Sequence, residues 1–192
     1  MNLITTAPLW LILLLALFLL AAAVEDVVRL RIANLTCLGI GMLAVVAMAL
    51  HGFGLPLWQN GAVFAGLLAI GTIGFATGTV GGGDVKLLAV TGLWFSLSAA
   101  VWLLAAVFLA GGALALIMIS TRSIRSRVAG KGRRHRGKIP YGVAIVAGAA
   151  IVMTAQYRGK ESIYDRLHLT PPTSARAATI ETSFLVKVSM PR

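Results

Sequence analysis

At 192 residues the chain has the size of one ordinary domain, yet 58% of it is hydrophobic and only 12% is charged. With a mean hydropathy of +0.90, a soluble fold would expose too much apolar surface, which leaves a membrane protein. The 17 Lys and Arg against 6 Asp and Glu give a net charge of +11, and without a basic helix interleaved with aromatic residues this reads as loops facing an anionic leaflet, not a nucleic-acid groove.

Leu3 to Val24 is uncharged and long enough to span. It ends in Ala21-Ala22-Ala23, but no Lys or Arg precedes it, so it reads as a retained helix and not as a secretory signal. Glu25 to Asn34 is a short polar break holding Arg29 and Arg31. From Ile32 to Gly83 there is no Asp, Glu, Lys or Arg. That stretch holds two helices of about 20 residues each. The segment from His51 to Pro56, rich in Gly and closed by Pro, divides it into spans near Leu35–Leu50 and Gly61–Thr77.

Leu87 to Ile119 is too long for one comfortable span. The following loop, Arg122 to Lys138, carries Arg122, Arg125, Arg127, Lys131, Arg133, Arg134, Arg136 and Lys138. The positive-inside rule puts it on the same side as Arg29 and Arg31. An even number of crossings must separate them, so a turn near Ser96-Leu97-Ser98 is expected. Tyr141 to Gln156 makes a last span. The expected fold is all-α: a polytopic membrane helix bundle of six transmembrane helices, with the N-terminus outside. Residues 1–156 form the membrane domain. Residues 157–192, with Pro171-Pro172 and scattered charge, read as a loosely ordered tail whose apolar patch, Phe184 to Val188, is too short to span.

Cys37 is the single cysteine, so no internal disulfide and no thiolate zinc site can form. His51, His135 and His168 have no HExxH spacing, so neither a metal nor another cofactor is expected. The acids are more informative. Only Glu25, Asp26 and Asp84 precede Glu161. A charged carboxylate near hydrocarbon costs about 2.5–3.5 kcal/mol on insertion scales, which makes such residues functional candidates. The topology puts Asp26 and Asp84 on one side, whatever the turn at Ser96. Two carboxylates at one depth form a natural proton-sharing dyad. One, ionised, acts as general base on a water; the other, protonated, donates to a scissile carbonyl, and their titrations couple.

Asp84 follows Gly78-Thr79-Val80-Gly81-Gly82-Gly83, a run that leaves room for an extended peptide. The same residues fit a plainer role, Asp84 as N-cap of the next helix. An anion loop fits less well, because the Gly-Lys-Ser/Thr ending is absent. For Asp26 the plain alternative is a juxtamembrane acid paired with Arg29 at i+3. Glu25 is its neighbour, and two adjacent helical residues cannot aim at one partner.

Three segments resemble a known family. Asp26-Val27-Val28-Arg29-Leu30-Arg31-Ile32-Ala33-Asn34 resembles the first motif of the prepilin peptidases, an aspartate with basic residues and Ile-Pro-Asn, and its spacing selects Asp26 over Glu25. Gly81-Gly82-Gly83-Asp84-Val85-Lys86-Leu87-Leu88 is similar to their GxGD motif, and Lys138-Ile139-Pro140-Tyr141-Gly142 to their late Pro-Tyr-Gly segment. The resemblance covers roughly Leu3 to Gln156. It implies a GxGD-type intramembrane aspartic peptidase that removes the basic leader of type IV prepilins at the cytoplasmic face of a bacterial inner membrane. Asp26 and Asp84 would be catalytic. Gly81, Gly82, Gly83, Asn34, Pro140 and Tyr141 would shape the site, while Lys86 would tune Asp84 or snorkel to headgroups. The size is similar to the Flp/Tad pilus branch. Larger members add a cysteine-rich, N-methylating part, so a peptidase without methyltransferase activity is expected. The implied partners are prepilins with basic leaders and membrane lipid, with no nucleic acid. Ala33 departs from the family proline, which would stiffen the start of the second span.

Two rival readings belong to other classes. A small ion-coupled transporter would use Asp84 as carrier, but no charged residue lies mid-span to relay it. A non-catalytic pilus-assembly subunit would keep the fold alone. A Ser-Lys protease fits poorly, because Ser96 and Ser98 fall opposite the lysines.

Overall fold

The computed structural model describes residues 2–52, 57–128 and 141–167. Among them are seven helices and no strand: α1 (Leu3–Thr6), α2 (Leu9–Arg29), α3 (Asn34–His51), α4 (Trp58–Ala76), α5 (Gly82–Gly92), α6 (Leu97–Val128) and α7 (Tyr141–Leu167). Met1–Ala155 forms one unit and Gln156–Arg192 another; the bundle described below is the first. Among the described residues four stretches are long and apolar enough to cross a membrane: α2, α3, α4 and Leu97–Thr121 of α6.

The first apolar run is two helices, not one. Pro8 has no N–H to continue a helix, and with ψ at 151° it is the extended residue that opens α2. Nor does α2 stop at Val24. It runs through Glu25 and Asp26 to Arg29, where Leu30 turns left-handed (φ 52°) and returns its N–H to the Asp26 carbonyl at 3.0 Å. Charge ends the apolar span, but Glu and Arg are good helix formers and do not end the helix. Asp26 therefore stands on a rigid helix and not in the expected polar break.

The remaining elements follow the expected order with shifted ends. The turn between α5 and α6 falls at residues 93–96, beside the expected Ser96. α5 starts at Gly82, five residues before Leu87, and α6 carries on past Ile119 to Val128. α7 passes Gln156 and stays helical to Leu167, so the first part of the expected tail is helix. Lys138, Ile139 and Pro140 lie outside the described residues, as do Pro171-Pro172 and the Phe184–Val188 patch.

Small residues bring the helices together, as they must where lipid competes with every apolar side chain. A Cβ on Gly71 of α4 would lie 2.5 Å from Val85 of α5, and one on Gly92 of α5 would lie 2.5 Å from Leu67 of α4. Gly39 faces Phe18 between α3 and α2, and Gly148 of α7 lies against the Val107 backbone of α6. At the end of the bundle where α4 begins, Asn60 donates to the carbonyls of Leu93 (2.8 Å) and Phe95 (3.3 Å). The Leu3 N–H donates to the Trp94 carbonyl, and the Trp94 indole to that of Ile40. Asn60 is 0% exposed. Asn60→Leu should leave both carbonyls short of a donor and cost about 1–3 kcal/mol. Thermal unfolding in detergent should show the lower Tm.

Candidate active site

Asp26 lies in the last turns of α2 and is 5% exposed. Its Oδ2 accepts the Gly142 N–H at 2.6 Å, and the carboxylate also takes the Val143 N–H. These are first-turn amides of α7, which have no partner within their own helix and favour negative charge. A Cβ on Gly142 would sit 2.7 Å from Oδ2 and 3.0 Å from the Asp26 Cβ. The contact therefore needs glycine. Neither the amide donors nor the need for Gly142 was named among the sequence candidates. The clue was a glycine placed second in a helix that follows Pro140-Tyr141, where a bare backbone can meet another group.

Asp84 is the third residue of α5, and its side chain does not cap the helix as the N-cap residue. That position belongs to Gly81 (φ −73°, ψ 142°). The Asp84 carboxylate reaches back to the Gly81 N–H, the acid half of a capping box. A Cβ on Gly81 would come within 2.7 Å of Asp84 Oδ2. Each acid is thus held by the backbone of a glycine at a helix start. Asp84 stands outside the four long apolar helices. Burial first, and the neighbouring Asp26 carboxylate second, push its pKa up to about 6 against the Gly81 hydrogen bond. The charge on Asp26 is felt at Asp84, so the two acids belong to one electrostatic site.

The other described sequence candidates lie on the segments next to the two acids, and Lys86 is bonded to Asn34 and not to Asp84. Gly82 packs on Phe75, and Gly83 on Ile32, where a Cβ would be 3.3 Å from the Ile32 Cβ. Lys86 donates through Nζ to Asn34 Oδ1 at 3.0 Å, joining α5 to the start of α3. Tyr141 is the first residue of α7, directly before the glycine that binds Asp26. Pro140 lies outside the described residues. An apolar hollow lined by Ala23, Val24, Val27, Val28 and Val143 adjoins the site across α2 and α7.

A model of the type IV leader peptidase family matches residues 13–116, which include both Asp26 and Asp84. Neither a curated protein nor a solved structure matches the chain.

Proposed function

This chain belongs to the type IV leader peptidase family, and we propose that it is an aspartic endopeptidase that removes the leaders of Flp-type prepilins at the cytoplasmic membrane face. Family membership makes it a protease, and its apolar helices make it a multi-pass membrane protein. One observation supports the finer reading: Asp26 is buried, Asp84 is half-buried, and the charge of the first helps to raise the pKa of the second.

In this reading the pair holds one proton. The ionised carboxylate takes a proton from a water as its oxygen attacks the scissile carbonyl carbon. The protonated one donates to the carbonyl oxygen. The tetrahedral adduct then collapses: one of its hydroxyls gives its proton back to the ionised carboxylate as the carbonyl re-forms, the C–N bond breaks, and the leaving nitrogen takes a proton from the pair. The pair ends with one proton again. The site has no other described acid that could play either part except Glu25, whose oxygens are bound to α3. Six crossings would require α5, only 11 residues long, and α7 to join the four long apolar helices. The α5–α6 turn meets the beginning of α4 through Asn60, while Asp84 lies at the other end of α5. In this reading the acids share a side with Arg29 and Arg31.

The pH dependence has a definite sign. Below about 6 Asp84 keeps its proton; above it the singly protonated pair is lost, about tenfold per pH unit. The kcat/KM for cleavage should therefore fall as pH rises through this value. Removing the Asp26 charge should lower the Asp84 pKa, which carboxyl 13C NMR of Asp26→Asn would read. A kcat/KM that climbs over the same range would reject the shared-proton scheme. The activity itself is tested by incubating purified protein in detergent with a Flp-type prepilin and locating the cut by mass spectrometry. Wild-type protein that leaves the leader attached rejects the peptidase reading.

A further inference from the structure

Glu25 precedes Asp26 on α2 and has no part in the scheme above. Adjacent helical residues point about 100° apart, and these two acids meet different elements. Asp26 meets the start of α7; Glu25 meets the start of α3. Glu25 Oε2 accepts the Ala33 N–H at 2.8 Å, and the Thr36 hydroxyl donates to the carboxylate with both oxygens at 3.0 Å. Ala33 is the N-cap residue of α3 and has no side chain able to cap it; Thr36 is the third helical residue. In a capping box the acid at that third position reaches back to the N-cap N–H. Here the third residue is Thr, and the acid comes from the preceding helix. The box is divided between two helices, with a carboxylate at the positive end of α3.

Ala33 stands where the prepilin peptidases carry proline, and its backbone (φ −69°, ψ 139°) is one that proline adopts. Proline has no N–H. Alanine supplies the donor that Glu25 accepts, so a hydrogen bond between helices restrains what a ring would restrain covalently. The restrained segment touches the helix of the second acid twice: Ile32 lies against Gly83, and Asn34 accepts from Lys86. Gly83 and Lys86 flank Asp84.

The geometry points to Glu25 as a positioning residue that clamps the α2–α3 turn through the Ala33 N–H and so fixes where Asp84 stands relative to Asp26. The inference rests on the proposal that Asp26 and Asp84 are the catalytic pair. Glu25→Ala should lower kcat for prepilin cleavage by about 10–100-fold with KM nearly unchanged, because the displaced group aligns chemistry and does not bind substrate. Amide hydrogen exchange should quicken at residues 33–36 and also at 82–86. Glu25→Gln keeps an acceptor oxygen and should retain activity within about fivefold of wild type. In the Glu25→Ala background, Ala33→Pro should restore kcat to within about fivefold of wild type, since the ring restores the lost φ restraint.

A folded double variant no more active than Glu25→Ala overturns the inference. So does a Glu25→Ala protein whose exchange at 82–86 matches wild type, whatever its activity. Should the double variant fail to fold, Glu25→Gln decides, and a loss as large as that of the alanine variant overturns the clamp. The exchange measurement needs no substrate. It therefore judges the clamp even where wild-type protein cleaves no prepilin, a result that sinks only the peptidase reading.

Discussion

Asp26→Asn and Asp84→Asn are each expected to abolish leader cleavage, with kcat down by about 10³-fold or more, while the protein stays inserted and folded. General acid–base groups contribute about 10²–10⁴-fold, and a shared-proton pair fails when either member is lost. The double variant should therefore be little worse than either single one, as holds for residues that act as a unit. Asparagine keeps an acceptor oxygen for the Gly142 N–H at position 26 and for the Gly81 N–H at position 84. The scaffold should survive. At position 84 the change also removes a half-buried charge that feels another of the same sign. The Tm of Asp84→Asn in detergent should therefore equal or exceed that of wild type, which is the usual relation between a strained site and stability. Normal prepilin maturation in either variant would return Asp84 to a purely structural role at the start of α5.

The second large effect is expected at a residue with no side chain. Gly142→Ala puts a methyl group where the Asp26 carboxylate now sits, 2.7 Å from Oδ2 and 2.9 Å from Cγ. Asp26 cannot yield as a long side chain would. It has two rotatable bonds, and its oxygen is tied to the very backbone that gains the methyl. Either the carboxylate turns away or the start of α7 withdraws, and both misplace a reacting group by about an ångström. Such a shift costs about 10²-fold. Steady-state cleavage by purified Gly142→Ala reads the loss. Gly112→Ala in α6 is the control, because a Cβ there meets nothing within 4 Å, and its rate should match wild type. Full activity in Gly142→Ala would show that α7 does not bind Asp26 in the working enzyme.

Much of the bundle was legible because hydrocarbon thickness imposes a length on each apolar run. Helix α3, helix α4 and the turn beside Ser96 follow from run length, charge and punctuation alone. Charge was read as ending the helix when it ends only the apolar span, so Glu25 and Asp26 were assigned to a break that α2 in fact crosses. Three consecutive glycines hid the start of α5, where packing of Gly82 on Phe75 and of Gly83 on Ile32 offsets their poor helix propensity. The acids themselves were legible from their scarcity, and Asp26 was chosen over Glu25 by motif spacing. Their anchors were not. The Gly142 amide and the Ala33 amide are backbone groups present at almost every position, and only the fold shows which ones an acid has reached. Glu25 was set aside as a rival to Asp26, although the two serve different helices.

The bond between Asp26 and Gly142 joins residues 116 positions apart in the chain. A ribosome delivers both aspartates long before it delivers the amide that orients the first of them. A nascent chain holding α2 to α6 already carries both acids but lacks the amide that restrains Asp26. In the proposed peptidase, proteolytic competence therefore arrives with insertion of α7, and a copy synthesised only as far as α6 is a latent enzyme during biogenesis.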